Sequence, residues 1–208
     1  MRPWIQKAKR RVERGKFDVS VDRIEAMNTR MESALQISFK DGIKGFRKEV
    51  PKKALDEAFQ AKDYKKLLRV MPWEKLQGVA DGTVDALKDS FVNAAAHSVT
   101  GVERQTNKEL RWDASNPRTD KYYEGRKKEF MQDLKASTRE NIQGIVQTAN
   151  TTGQNSKMVA DQIVGSIGLN VPQAKTYARI EAGLRADGKL SEKQIKDHMA
   201  GVNDTMLE

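Results

Sequence analysis

Basic residues fill seven of the first sixteen positions, Arg2, Lys7, Lys9, Arg10, Arg11, Arg14 and Lys16, against one acid, Glu13. Ammonium and guanidinium groups at that density suit the phosphates of a nucleic acid or an acidic protein surface. The chain carries a net charge of +9 over 208 residues. Seven basic residues less one acid give the arm +6, which leaves +3 for everything after Lys16. The bland alternative is a solvated helix or tail. Trp4, Ile5, Ala8 and Val12 make a short apolar stripe opposite the basic positions.

A second basic cluster, Lys121, Arg126, Lys127 and Lys128, is interleaved with Tyr122 and Tyr123. Aromatic rings among cations can stack on exposed bases. The competing reading is the start of an amphipathic helix whose tyrosines enter the core, with Glu124 and Glu129 diluting the charge.

A third candidate is the helix-break-helix in SIGLNVPQAKTYARIEAGL, residues 166–184. If its second helix entered a major groove, Gln173, Lys175, Thr176 and Arg179 would face the bases. The spacing argues against this. Ala160 lies eight residues before Gly168, about a turn too far. Asn170-Val171-Pro172 makes a loose turn, and Glu181 would face phosphates. The better expectation is a packing hairpin in which Val159, Ile163, Tyr177, Ile180 and Leu184 share one core.

Reactive chemistry finds little support. His97 and His198 fall in different segments without a ligand motif, and Asp161 and Asp197 do not build a cation loop. There is no cysteine, no G-x-S-x-G and no G-K-[ST]. Neither enzymatic activity nor a cofactor is expected. No apolar run approaches the roughly 18 residues of a membrane span. The start, MRPWIQKAKRRVERGK, is charged where a signal peptide would be apolar. The expectation is a soluble protein made in the cytoplasm.

Charged residues make up 32% of the chain and hydrophobic residues 38%, which suits long helices with one buried stripe. The spacing predicts an all-α, elongated multi-helix bundle with αα-hairpins. FDVSV, 17–21, alternates like a strand but stands alone. Ile24, Met27, Met31, Leu35 and Phe39 recur at the helix period, weakened by Gly42 and Gly45 and stopped at Pro51. Two short helices follow over 52–71, and Pro72 starts another that Asp81-Gly82 breaks. Val84, Leu87, Phe91, Ala94, Ala95 and Val99 form the clearest buried stripe of the first half, with alanines inviting a close neighbour. Residues 101–120 read as a linker with a turn at Asn116-Pro117. A long helix is expected from Tyr122 to Val146 or Ala149, then a loop over 150–156 with Ser156 as N-cap. Asp187-Gly188 ends the helix after the hairpin, and Ser191 with Gln194 forms a capping box for the last one. The organisation is a basic arm (1–16), an N-terminal helical domain (17–111) and a C-terminal helical domain (112–208).

The order of segments after residue 111 resembles the minor head protein, or head morphogenesis, family of tailed phages. WDASNPRTDKYYEGRKKEF is similar to the family's aromatic-x-x-x-Asn-Pro opening and following helix. STRENIQGIVQTANTTGQNSKMVADQIVGSIGL resembles its threonine-led helix, its loop and its helix ending in Gly-Leu. NVPQAKTYARIEAGLRADGKLSEKQIKDHM resembles its proline-initiated helix with a central Tyr, then a Gly turn and a last helix. The family's later arginine-rich helix and Ile-Ala-Arg-Thr-Glu signature are not in this chain. The resemblance implies a low-copy virion protein at the portal vertex or inside the head. Its partners would be the portal or major capsid protein and packaged double-stranded DNA, and it would be oligomeric there without stable membrane insertion. Two alternatives remain: an internal protein ejected with the genome, and a helix-turn-helix regulator.

Overall fold

A computed structural model describes residues 21–109 and 116–207. The basic arm, most of FDVSV and the middle of the linker lie outside the described residues. Among the described residues there are helices and no strand. They are α1 (Val21–Glu49), α2 (Lys52–Gln60), α3 (Tyr64–Arg69), a 3-10 turn (Trp73–Lys75), α4 (Leu76–Thr106), α5 (Pro117–Thr152), α6 (Ser156–Ser166), α7 (Val171–Asp187) and α8 (Glu192–Met206).

Three long rods set the frame. Gly42 of α1 faces Val79 of α4, and Ser38 faces Gly82, so the two helices run antiparallel. Lys127 of α5 meets Asp81 and Asp85 of α4, while Asp120 meets Lys88, so α5 also runs antiparallel to α4. The shorter helices gather at one end. There α2 packs on α6, α6 on α5 and α7, and α7 on α8. Ile43, Leu55, Leu67 and Leu76 from one side of the linker and Val159, Ile163, Ile167 and Leu169 from the other belong to one buried cluster. The hairpin residues Val159, Ile163 and Tyr177 lie in that cluster, with Ile180 and Leu184 packed against it.

Several expected breaks are not breaks. Both α1 and α4 run straight through their glycines. A glycine inside a helix costs about 1 kcal/mol, but Gly42 lets α4 approach closely. A methyl group there would sit 3.1 Å from Val79. The expected stripe on α4 is a second correction. Val84 is buried, but Leu87, Ala94, Ala95 and Val99 are half-buried and Phe91 is 50% exposed. This stretch lies beyond the cluster of short helices, so α1 and the start of α5 cover it only in part.

The linker is shorter than expected. Helix α4 continues to Thr106, and Asn107 ends it in the left-handed region. Asn116-Pro117 starts a helix instead of a turn: Asn116 caps α5 and Pro117 takes its first position, where a missing N–H costs nothing. Helix α5 extends to Thr152, and Asn155, not Ser156, caps α6. The Ser191–Gln194 box caps α8 as expected.

Candidate nucleic-acid interface

The interface has three candidate parts, and the structure treats them differently. Arg2, Lys7, Lys9, Arg10, Arg11, Arg14 and Lys16 lie outside the described residues.

The second cluster divides. Lys127 is only 16% exposed and stands 3.0 Å from Asp85, 3.5 Å from Asp81 and 3.9 Å from Glu124. The hydrogen bond that it donates to Asp85 first, and the neighbouring carboxylates after it, hold its ammonium above the usual lysine range. Lys127 therefore ties α5 to α4 and has little charge left to offer a ligand. Arg126 bonds Glu129 at 3.0 Å and lies over the Tyr122 ring at 5.3 Å. Tyr123 is buried, as the helix reading expects, while Tyr122 is half exposed. Lys121 and Lys128 are exposed and make no ion pair among the described residues.

The hairpin's would-be reading residues are also partly engaged. Gln173 completes a capping box with Asn170, and its Nε2 donates to the Met206 carbonyl at 2.7 Å. Tyr177 is buried, so its ring serves the core; burial and then the Glu181 carboxylate push its phenol up to about 12. Lys175 and Arg179 are exposed, but they border a groove against α5.

The break itself is clamped. Arg47 of α1 reaches across the molecule and donates to the carbonyls of Gly165 (3.0 Å) and Ile167, and to Asn203 Oδ1 of α8 at 2.6 Å. Desolvation lowers the Arg47 guanidinium to about 10, with Tyr177 and Asp204 opposing that fall. Asn203 donates back to the Gly165 carbonyl. From α5, Asn141 Nδ2 donates to Ser166 (3.2 Å) and Leu169 (2.9 Å). Side chains of α1, α5 and α8 thus supply donors to the carbonyls that end α6, beside the backbone bond from the Leu169 N–H to the Ser166 carbonyl. Gly168, at φ +84°, sits against Ile43, which would meet an added methyl group at 3.0 Å. The break at Gly168 was legible in the sequence, but the clamp on it was not, because Arg47 reads there as one more basic residue near a helix end.

A further group of cations meets around Trp73. From α5, Lys135 and Arg139 lie over the Trp73 ring at 5.5 and 5.3 Å. The indole N–H donates to the Leu68 carbonyl at 2.7 Å, which locks the ring against α3. Lys65 and Arg139 border one groove of about 570 Å³ between α3 and α5. Sequence reasoning missed this group because its halves lie some seventy residues apart.

Among the described residues, no group of three or more His, Cys, Asp or Glu side chains is placed to hold a metal ion. No helix among them is long and apolar enough to cross a membrane. Comparison with protein families, curated proteins and solved structures found no match.

Proposed function

We propose that this chain is a virion structural protein of a tailed phage, a low-copy minor head component at the portal or inner capsid. It serves head assembly and DNA packaging or delivery, and it contacts packaged duplex DNA without reading its sequence. The observation that carries the reading is the run of helices from Asn116 to Met206. Its caps at Asn116, Asn155, Asn170 and Ser191 fall within the sequence blocks that resemble the minor head family. Rigid helices joined by short capped turns suit a protein that holds position among larger partners. Phosphate contact by the arm would be electrostatic and salt-sensitive, which is what a genome of arbitrary sequence requires.

Mass spectrometry of purified particles tests the reading, comparing procapsids, filled heads and ghosts left after DNA release. Presence in procapsids and ghosts is expected for a fixed head component. Presence in filled heads and loss from ghosts would make it an ejected internal protein. Absence from every particle would overturn both virion readings and bring the regulator forward.

A further inference from the structure

We infer that the folded body carries its own phosphate-binding surface, formed by α3 and the middle of α5, distinct from the N-terminal arm. Its ligand is the backbone of duplex DNA. It shares with the proposed function only the class of ligand.

The surface starts from local sequence. Residues 62–75 hold Lys62, Lys65, Lys66, Arg69 and Lys75 against Asp63 and Glu74. Helix α3 begins where Asp63 caps it, accepting from the Lys66 N–H at 2.9 Å. Leu67 is its buried anchor, and with that residue inward, Lys65, Lys66 and Arg69 are left exposed. Tertiary packing then adds Lys135 and Arg139. They are four residues apart, about 6 Å along the α5 axis, and the Trp73 ring fixes both.

Exposed cations without ion pairs occur elsewhere, at Lys121 and Lys128; what distinguishes this surface is the Trp73 ring, which holds two of its cations beside α3. Among the described residues Lys65, Lys66, Arg69, Lys135 and Arg139 make no ion pair, whereas Lys44, Lys52, Lys88, Lys127 and Arg185 each hold a carboxylate. Unneutralised cations held on fixed elements attract a polyanion and lose little freedom on binding it. Arg139 can present a planar fork to a phosphate and Lys65 a point charge. Contact with the backbone, and not base stacking, follows from two engaged groups. Trp73 is covered by two cations, and the Tyr64 hydroxyl accepts from Asn150 at 2.7 Å.

The test is fluorescence anisotropy of the full chain on a short mixed-sequence DNA duplex over a range of salt. Three forms are compared: the natural protein, an arm variant (Lys9, Arg10, Arg11 and Arg14 to Ala) and a surface variant (Lys65, Lys66 and Arg69 to Gln). The surface variant changes only exposed side chains; thermal melting by circular dichroism checks that it is folded. The expected result is a salt slope shallower by about 0.9 for each phosphate that the surface variant no longer neutralises, with the surface contribution persisting in the arm variant. A surface variant identical to the natural protein, with weaker binding only in the arm variant, would overturn the inference and leave the proposed function standing. Binding to vesicles of anionic lipid without binding to duplex would also overturn it, as would a preference for single strands that survives high salt. The particle measurement is independent of all these outcomes, so the two proposals fail separately.

Discussion

Lys127 and Arg139 lie on the same helix, three turns apart, and meet opposite surroundings. Lys127 faces Asp81, Asp85 and Glu124 and is nearly covered. Arg139 faces the ring of Trp73 and is exposed. One cation has become part of the packing between α4 and α5; the other has no ion pair among the described residues. Arg47 adds a third situation, a guanidinium closed in among carbonyls at the end of α6. A count of basic residues along the sequence treats the three alike. What separates them is the neighbour that tertiary packing supplies: carboxylate, ring or carbonyl.

Removing the half-buried cation Arg47 should have the largest effect. Arg47→Ala removes the donor to the Ile167 carbonyl and to Asn203 Oδ1, while the Gly165 carbonyl keeps Asn203 Nδ2, and is expected to cost about 2–4 kcal/mol in urea unfolding. Arg47→Lys should recover only part of that, because an ammonium cannot span the same acceptors as a planar fork. An Arg47→Ala protein as stable as the natural one would mean that the clamp on the α6–α7 turn is not formed.

Tightening the same turn is the next test. At Gly165 an added methyl group would stand 2.4 Å from the Tyr177 hydroxyl. Gly165→Ala should therefore cost about 1–3 kcal/mol through forced movement, measured as a lower urea midpoint. An unchanged midpoint would show that the Tyr177 ring has room to move.

Lys127→Met should lower stability by about 1 kcal/mol or less and leave the salt slope of DNA binding unchanged. If the slope falls instead, Lys127 is available to phosphate and the contrast with Arg139 collapses.

A further effect concerns alkaline pH. The Tyr177 phenol is raised from the ordinary 10 to about 12. Its contribution to stability is therefore complete below pH 10 and lost as pH rises through about 12. The natural protein should thus lose more stability between pH 10 and 12 than Tyr177→Phe does, with Arg47 unchanged in both. Parallel curves would contradict a buried Tyr177.

Local signals explain which parts were legible in the sequence. The Ser191–Gln194 box, the stop at Gly188 and the periodic stripes around Ile163 and Tyr177 each rest on neighbours a few residues away. They match the structure. Gly42, Gly82 and Asn116-Pro117 were misleading because the same residues serve two purposes. Glycine can end a helix or admit a neighbour, and Asn-Pro can make a turn or start a helix. The stripe on α4 was visible, but its burial depends on α1 and the start of α5, which leave Phe91 50% exposed. The Trp73 group and the Arg47 clamp join residues from distant segments and left no local pattern to read.

The most direct test of the contrast is lysine acetylation of the full chain, with and without saturating duplex DNA, mapped by mass spectrometry. Protection of Lys65, Lys66 and Lys135, with low and unchanged modification of Lys127, is the expected result. Protection of Lys127 together with unchanged labelling of Lys65, Lys66 and Lys135 would contradict it.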